Sequence, residues 1–212
     1  MASEVPGGTT SGMVARIKNI LTTPTSEWTR IDGEPATVQG LMIGWVVPLA
    51  AIAPLCLLIG STLFGYASFF GVTIRPSLTF AISTAVTSYV FALIGAYVCA
   101  LVFDALAPSF GGTKNPVQAM KAVAYSWTAA WLAGVFQLIP MLGVLGIVGL
   151  YSLYLLWVGL PMMMKVPKDK APGYVAVSVV AAIVVVAIVM VVGNAVAGLF
   201  APHVVAPSLT FG

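Results

Sequence analysis

The sequence predicts an all-α protein: a polytopic membrane bundle of five transmembrane helices preceded by a short amphipathic helical segment. Three observations predict it. Of 212 residues, 60% are hydrophobic and only 7% are charged, against roughly a quarter charged in a soluble domain. Mean hydropathy is +1.05. The apolar residues fall into five runs, each near the ~20 residues that cross ~30 Å of hydrocarbon as a helix. Fifteen charged side chains, nine basic and six acidic, cannot coat a water-soluble globule of this size. A soluble enzyme, a nucleic-acid binder and a disordered tail are excluded. The basic residues are scattered, which is not a nucleic-acid footprint.

Residues 1–12 read as a flexible, polar tail without the apolar core of a signal peptide. Residues 13–39 form the amphipathic, interfacial segment. Val14, Ile17, Ile20 and Leu21 recur at helical spacing beside Arg16 and Lys18, which predicts a helix on the cytoplasmic leaflet. Thr23-Pro24 reads as an N-cap followed by proline at the first helical position. A second short helix then presents Trp28 and Ile31 on one face, with Trp28 at headgroup level. Residues 40–200 hold the spans, at about Gly40 to Tyr66, Leu78 to Phe103, Ala119 to Leu138, Met141 to Met164 and Tyr174 to Phe200. Residues 201–212 form a short extracytoplasmic tail.

The fifth run is rich in β-branched residues, which favour strands in water. In lipid an open strand leaves backbone groups unpaired, so helix wins. Pro140 separates the third and fourth runs with almost no loop, which predicts a tight helical hairpin. Pro48 and Pro54 should kink the first span, and freed carbonyls there need partners from neighbours or water. Small residues spaced by four mark faces for close helix approach: Gly40 and Gly44, Ala92, Ala96 and Ala100, and Gly193 and Ala197. A surplus face predicts an oligomer.

Lys and Arg counts set orientation. Five crossings place Arg16, Lys18, Arg30, Lys114, Lys121, Lys165, Lys168 and Lys170 on one side, and Arg75 alone on the other. The N-terminus is therefore expected in the cytoplasm and the C-terminus outside an inner (plasma) membrane. Cys56 and Cys99 lie at different depths, too far apart for a disulfide.

No catalytic, cofactor or metal constellation is legible. His203 stands alone, without the second ligand a metal site needs, and there is no Ser/His/Asp or Cys/His set, since most Ser residues lack a base. Gly111-Gly112-Thr113-Lys114 lacks the spacing and preceding strand of a phosphate loop. The loop from Asp104 to Lys121 reads as a turn that can also contact a ligand or partner. Candidate lipid or partner contacts are Arg16, Lys18, Trp28, Phe110, Gly111, Gly112, Lys114 and Lys121. Candidate intramembrane polar contacts are Gln137, Asn194 and Tyr125. No carboxylate, Lys, Arg or His lies at mid-membrane, where ion-coupled transporters usually place one.

From about Val14 to Val180 the chain resembles the Yip1 domain family in its short bacterial form. The resemblance is carried by NILTTPTSEW at 19–28, LAPSFGG at 106–112, QAMKAVAYSW at 118–127, LIPMLG at 138–143 and LYSLYLLWVGLPMMMK at 150–165. It implies a five-span membrane domain with a cytoplasmic N-terminus. Ala129 and Ala130 stand where the family often has proline, which implies a straighter third span. Eukaryotic members contact prenylated small GTPases through a longer N-terminal region. With about 39 residues before the first span, this chain carries no such expectation. The expected function is non-enzymatic organisation of membrane or partner membrane proteins, with no cofactor. Expected partners are membrane lipids and another membrane protein or a second copy of the chain, and not nucleic acid. The alternative is a transporter or channel for a lipid or small neutral solute; an enzyme ranks third.

Overall fold

The computed structural model describes residues 10–67 and 73–199. The expected tail at residues 201–212, with His203, lies outside the described residues, as does most of the tail at 1–12. Two short helices open the fold, α1 (Thr10–Thr22) and α2 (Pro24–Gly33). Thr23 is the N-cap residue and Pro24 opens α2, but the Thr23 hydroxyl donates backward to the Asn19 carbonyl (3.1 Å) and makes no cap.

Among the described residues, four helical stretches are long and apolar enough to cross a membrane: Val38–Leu63, Leu78–Phe110, Met141–Met163 and Ala171–Gly198. The first, α3 (Val38–Leu63), contains a π-helical turn at Met42–Val46. Pro48 lacks the N–H that would bond the Gly44 carbonyl, and its ring crowds that carbonyl, so the preceding turn widens. The Val47 carbonyl, just before Pro48, accepts a hydrogen bond from the Tyr89 hydroxyl (3.1 Å), which ties the kinked segment to the helix that begins at Leu78. A two-residue antiparallel pair, β1 (Tyr66–Ala67) with β2 (Thr73–Ile74), follows, in register Tyr66 to Ile74.

Helix α4 (Leu78–Leu106) starts at Ser77, whose hydroxyl accepts from the Phe80 amide, and runs into a 3-10 turn, Ala107–Phe110. Its buried face is small: Ala81, Ala85, Ala96 and Ala100 are enclosed, while Ile82, Val86, Val90 and Ile94 point outward. The last helix, α8 (Ala171–Gly198), packs along α4, with Gly193 against Phe91 and Gly95 facing Val189. Its outer face exposes Val180, Ile183, Ile188 and Val191. Such a perimeter is stable only against hydrocarbon.

The third apolar run is not one helix. It comprises α5 (Pro116–Ser126), α6 (Thr128–Ala133) and a 3-10 stretch, Gly134–Leu138. The Asn115 side chain caps α5, accepting from the Val117 and Gln118 amides (3.1 Å each). The lack of proline at Ala129 and Ala130 therefore does not leave the run straight; it is interrupted at Trp127. At that break the Ala124 carbonyl accepts both the Trp45 indole N–H (3.1 Å) and the Thr128 hydroxyl (3.2 Å), and the Ser126 hydroxyl bonds the Ala122 carbonyl. Side-chain donors on successive carbonyls bend a helix without proline.

Ile139 is extended (φ −118°, ψ 110°), as a residue before proline must be, and the chain doubles back there. The expected hairpin is present, but its arms are 3-10 helices, Gly134–Leu138 and Pro140–Leu150, rather than α-helices. Gly143, Gly146 and Gly149 recur every third residue, and three residues per turn align them on one stripe. At Gly149 a Cβ would sit 3.2 Å from the Ala130 Cα, whereas at Gly143 and Gly146 it would meet nothing within 4 Å. The chain continues as α7 (Tyr151–Met163). Gly60 and Gly134 allow backbone-level contact between α3 and the first 3-10 arm: a Cβ at Gly60 would overlap the Gln137 carbonyl, and one at Gly134 would lie 2.5 Å from the Ala53 Cβ. Cys56 is half-buried, Cys99 is buried, and both are free.

Candidate functional site: a charged joint beneath the N-terminal helices

The α1–α2 headpiece is welded to one end of the bundle. Ile20, Trp28 and Ile31, its apolar stripe, are each 0% exposed. Trp28, expected at headgroup level, is instead enclosed by the chain itself. Its indole lies against Gly159 of α7 so closely that a Cβ there would overlap the ring. Tyr125 meets it edge-on at 6.2 Å between centroids, and Trp45 packs on Tyr125 at 4.8 Å. The Tyr151 hydroxyl donates to the Leu21 carbonyl (3.0 Å), a second tie between α7 and the headpiece.

Polar groups complete the joint. Arg16, also expected at the lipid surface, is buried; it donates to Glu27 (2.7 Å) and to both oxygens of Glu34 (2.7 and 2.6 Å). Its guanidinium carbon lies 5.8 Å from the Tyr125 ring centre, within cation–π range. Burial is the largest influence on Arg16 and works against its charge. The bonds to Glu34, with Tyr125 and Glu27 beside it, outweigh burial and raise its pKa above the ordinary arginine value. Lys121 is buried as well, its ammonium donating to the carbonyls of Ile31 (2.8 Å) and Glu34 (2.6 Å). These are the carbonyls at the end of α2 and just beyond it, where a cation is favoured. Asp32 accepts from Gln118 (3.2 Å) and pairs with Lys165. Lys165 itself adopts a left-handed backbone (φ 55°) at the end of α7.

The sequence expectations divide here. Arg16, Trp28, Lys121 and Tyr125 converge on this joint. Lys18 and Lys114 are exposed on the surface. Phe110, Gly111 and Gly112 form a packed turn: Phe110 stacks near Tyr174 (5.6 Å), Gly111 has φ +75°, and a Cβ on Gly112 would sit 2.7 Å from the Met164 carbonyl. Asp104 ties down the same turn by accepting from the Asn115 amide (2.6 Å). Gln137 and Asn194 are not brought together. Gln137 lies in the hairpin against Gly60. Asn194 is exposed and lines a groove of about 280 Å³ between α4 and α8 with Thr84, Thr87 and Ser88, without Gln137. Sequence reasoning missed Glu27, Glu34, Asp32, Trp45 and Gly159. The available signal was that three of the six carboxylates crowd into residues 27–34, close to Arg16, Lys18 and Arg30.

Between the headpiece and the start of α3 is a cavity of about 700 Å³. One part of its wall is Arg16, Glu27, Arg30, Glu34 and Lys121; another is Leu41, Ile43, Gly44 and Trp45. No cluster of His, Cys, Asp and Glu able to hold a metal is found among the described residues.

No curated protein and no solved structure matches the chain. A family model, the Yip1 domain, matches residues 18–190. That match spans both the headpiece and the bundle, and it agrees with a multi-pass membrane protein built of apolar helices. The chain belongs to the Yip1 domain family.

Proposed function

We propose that this protein is a non-enzymatic component of an inner membrane that holds a rigid headpiece at the cytoplasmic face, on which another membrane protein or a second copy assembles. The observation that carries this reading is the headpiece held together by the Arg16–Glu27–Glu34 network and seated on the bundle through Trp28 against Gly159. Arg16 and Glu27 are buried and Glu34 partly so, and burying such charges is costly unless they are paired. The network fixes α1 on α2, while Trp28 on Gly159 and Lys121 on the Ile31 and Glu34 carbonyls hold that unit in one orientation relative to the spans. Exposed Lys18, Lys114, Lys168 and Lys170 surround it at the same end and suit the cytoplasmic side.

The reading includes five crossings. Residues 116–138, at about 1.5–2.0 Å of rise per residue, are long enough to traverse ~30 Å of hydrocarbon despite the break at Trp127. They return through the hairpin at Ile139 into the Met141–Met163 stretch. The transport alternative draws less support, because the polar groove at Asn194 and the Gln137 carbonyl contact belong to different helix pairs.

The test is purification with and without the joint. Wild type should co-purify with one partner at fixed stoichiometry and show no solute flux in proteoliposomes. Gly159→Leu, which unseats Trp28, should release the headpiece and lose the partner while the bundle stays folded. Flux that disappears in Gln137→Leu or Asn194→Leu, with no fixed partner, overturns the proposal.

A further inference from the structure

The cavity under the headpiece has a shape and composition that the joint alone does not require. Its charged wall is at the level where α3 begins, and its apolar wall, Leu41, Ile43 and Trp45, belongs to the first turns of that membrane helix. The cavity therefore straddles the boundary between headgroups and hydrocarbon. Its volume of about 700 Å³ falls within the roughly 300–1,000 Å³ of small-molecule sites. It is open toward the bilayer, since Ile43 and Gly44 are exposed. The opening is unobstructed at position 44, where a Cβ would meet no atom within 4 Å. The widened π turn at Met42–Val46 forms this same wall, a distortion frequent at binding sites.

The charges select the occupant. Arg16, Arg30 and Lys121 face the cavity with Glu27 and Glu34, one cation in excess. Arg16 and Lys121 are engaged with the carboxylates and with carbonyls. Arg30 touches Glu34 through Nε (3.2 Å), its side chain is 62% exposed, and its terminal guanidinium nitrogens have no partner among the described residues. A guanidinium above an apolar trough matches a phosphate joined to an acyl chain. We propose that the cavity binds one anionic phospholipid, its phosphate at Arg30 and the upper part of one chain along Leu41, Ile43 and Gly44. This site stands independently of the organising role: the lipid can be held whether or not a partner assembles, and the two are read by different measurements.

The experiment is native mass spectrometry of the full chain in neutral detergent, with phosphatidylglycerol and phosphatidylcholine offered together. Wild type should retain one phosphatidylglycerol, preferred over phosphatidylcholine by about tenfold, or ~1.4 kcal/mol, and excess inorganic phosphate should not displace it. Gly44→Phe should reduce occupancy by both lipids by about tenfold, with thermal stability unchanged because the new side chain enters open space. Arg30→Glu should abolish the preference for phosphatidylglycerol while a lipid still binds. Gly33→Phe, open at its Cβ but not part of the wall, should behave as wild type. Retention of phosphatidylglycerol by Gly44→Phe at the wild-type level overturns the site. Equal binding of the two lipids by wild type, or displacement by inorganic phosphate, overturns the assignment of the occupant.

Discussion

Replacing Gly159 should unlock the headpiece. An added Cβ at this position would overlap three ring atoms of Trp28. The indole cannot slide aside, because it is 0% exposed and is flanked by Tyr125. For Gly159→Ala the expected cost is that of overpacking a filled core, about 1–3 kcal/mol. Gly159→Leu leaves no room for the indole, which must leave its seat. Trp buries about 150–250 Å², and at ~25 cal/mol per Å² expulsion costs about 4–6 kcal/mol. A stability of ~5–15 kcal/mol cannot absorb that locally, so α1 and α2 should detach before the bundle melts. Trypsin reports this directly, since cleavage at Arg16 requires the buried guanidinium to come free. Gly159→Leu should be cut at Arg16 under detergent conditions in which wild type is protected. Adding Trp28→Leu should recover part of the loss, with a coupling of at least ~1 kcal/mol between the two positions. Full protection of Arg16 in Gly159→Leu, or strictly additive effects of the two changes, would refute the packing argument.

Other substitutions probe the remaining links. Lys121→Met should leave the Glu34 carbonyl without its donor and the Ile31 carbonyl with only the Glu34 amide (3.3 Å), at about 1–3 kcal/mol in all, read as a lowered melting temperature and faster cleavage at Arg16. Tyr89→Phe removes one hydrogen bond to the Val47 carbonyl and should cost only ~0.6 kcal/mol, typical of interhelical bonds in membranes. A melting temperature shifted as far as in Lys121→Met would show that the bond carries more. In the hairpin, Gly143→Ala should be neutral or mildly stabilising because its Cβ meets open space. Gly149→Leu should destabilise, because its Cβ would press on Ala130; equal melting temperatures for these two variants would contradict the stripe.

Membrane residence and helix positions were legible because hydropathy is a property of long runs, as at Ala171–Gly198. The small-residue faces at Ala96 and Ala100 and at Gly193 and Ala197 were legible as well, since spacing of four places them on one face. Gly40 and Gly44 carry the same spacing and were misleading. Gly44 packs on nothing and borders the cavity instead. Trp28 shows a different limit. Its apolar face reads the same whether lipid or protein covers it, and the cover, Gly159, is 131 positions away with no local signature. Arg16 and Lys121 look like surface cations in a pattern of charges. Only the fold brings Glu27, Glu34 and the Ile31 carbonyl around them. The third run was legible as apolar, but its break at Trp127 depends on the Trp45 indole arriving from α3, which no local propensity encodes. The switch to 3-10 geometry after Gly134 did leave a trace, the glycine period of three at 143, 146 and 149.

The parity of crossings tests the account most directly. Among the described residues four stretches are long and apolar enough to span, and residues 116–138 decide between four crossings and five. Tags placed before α1 and after α8 should be protected on opposite sides of sealed vesicles, with the N-terminal tag on the cytoplasmic side. Protection of both tags on the same side would contradict the five-crossing bundle and, with it, the placement of the headpiece and its basic surroundings at one membrane face.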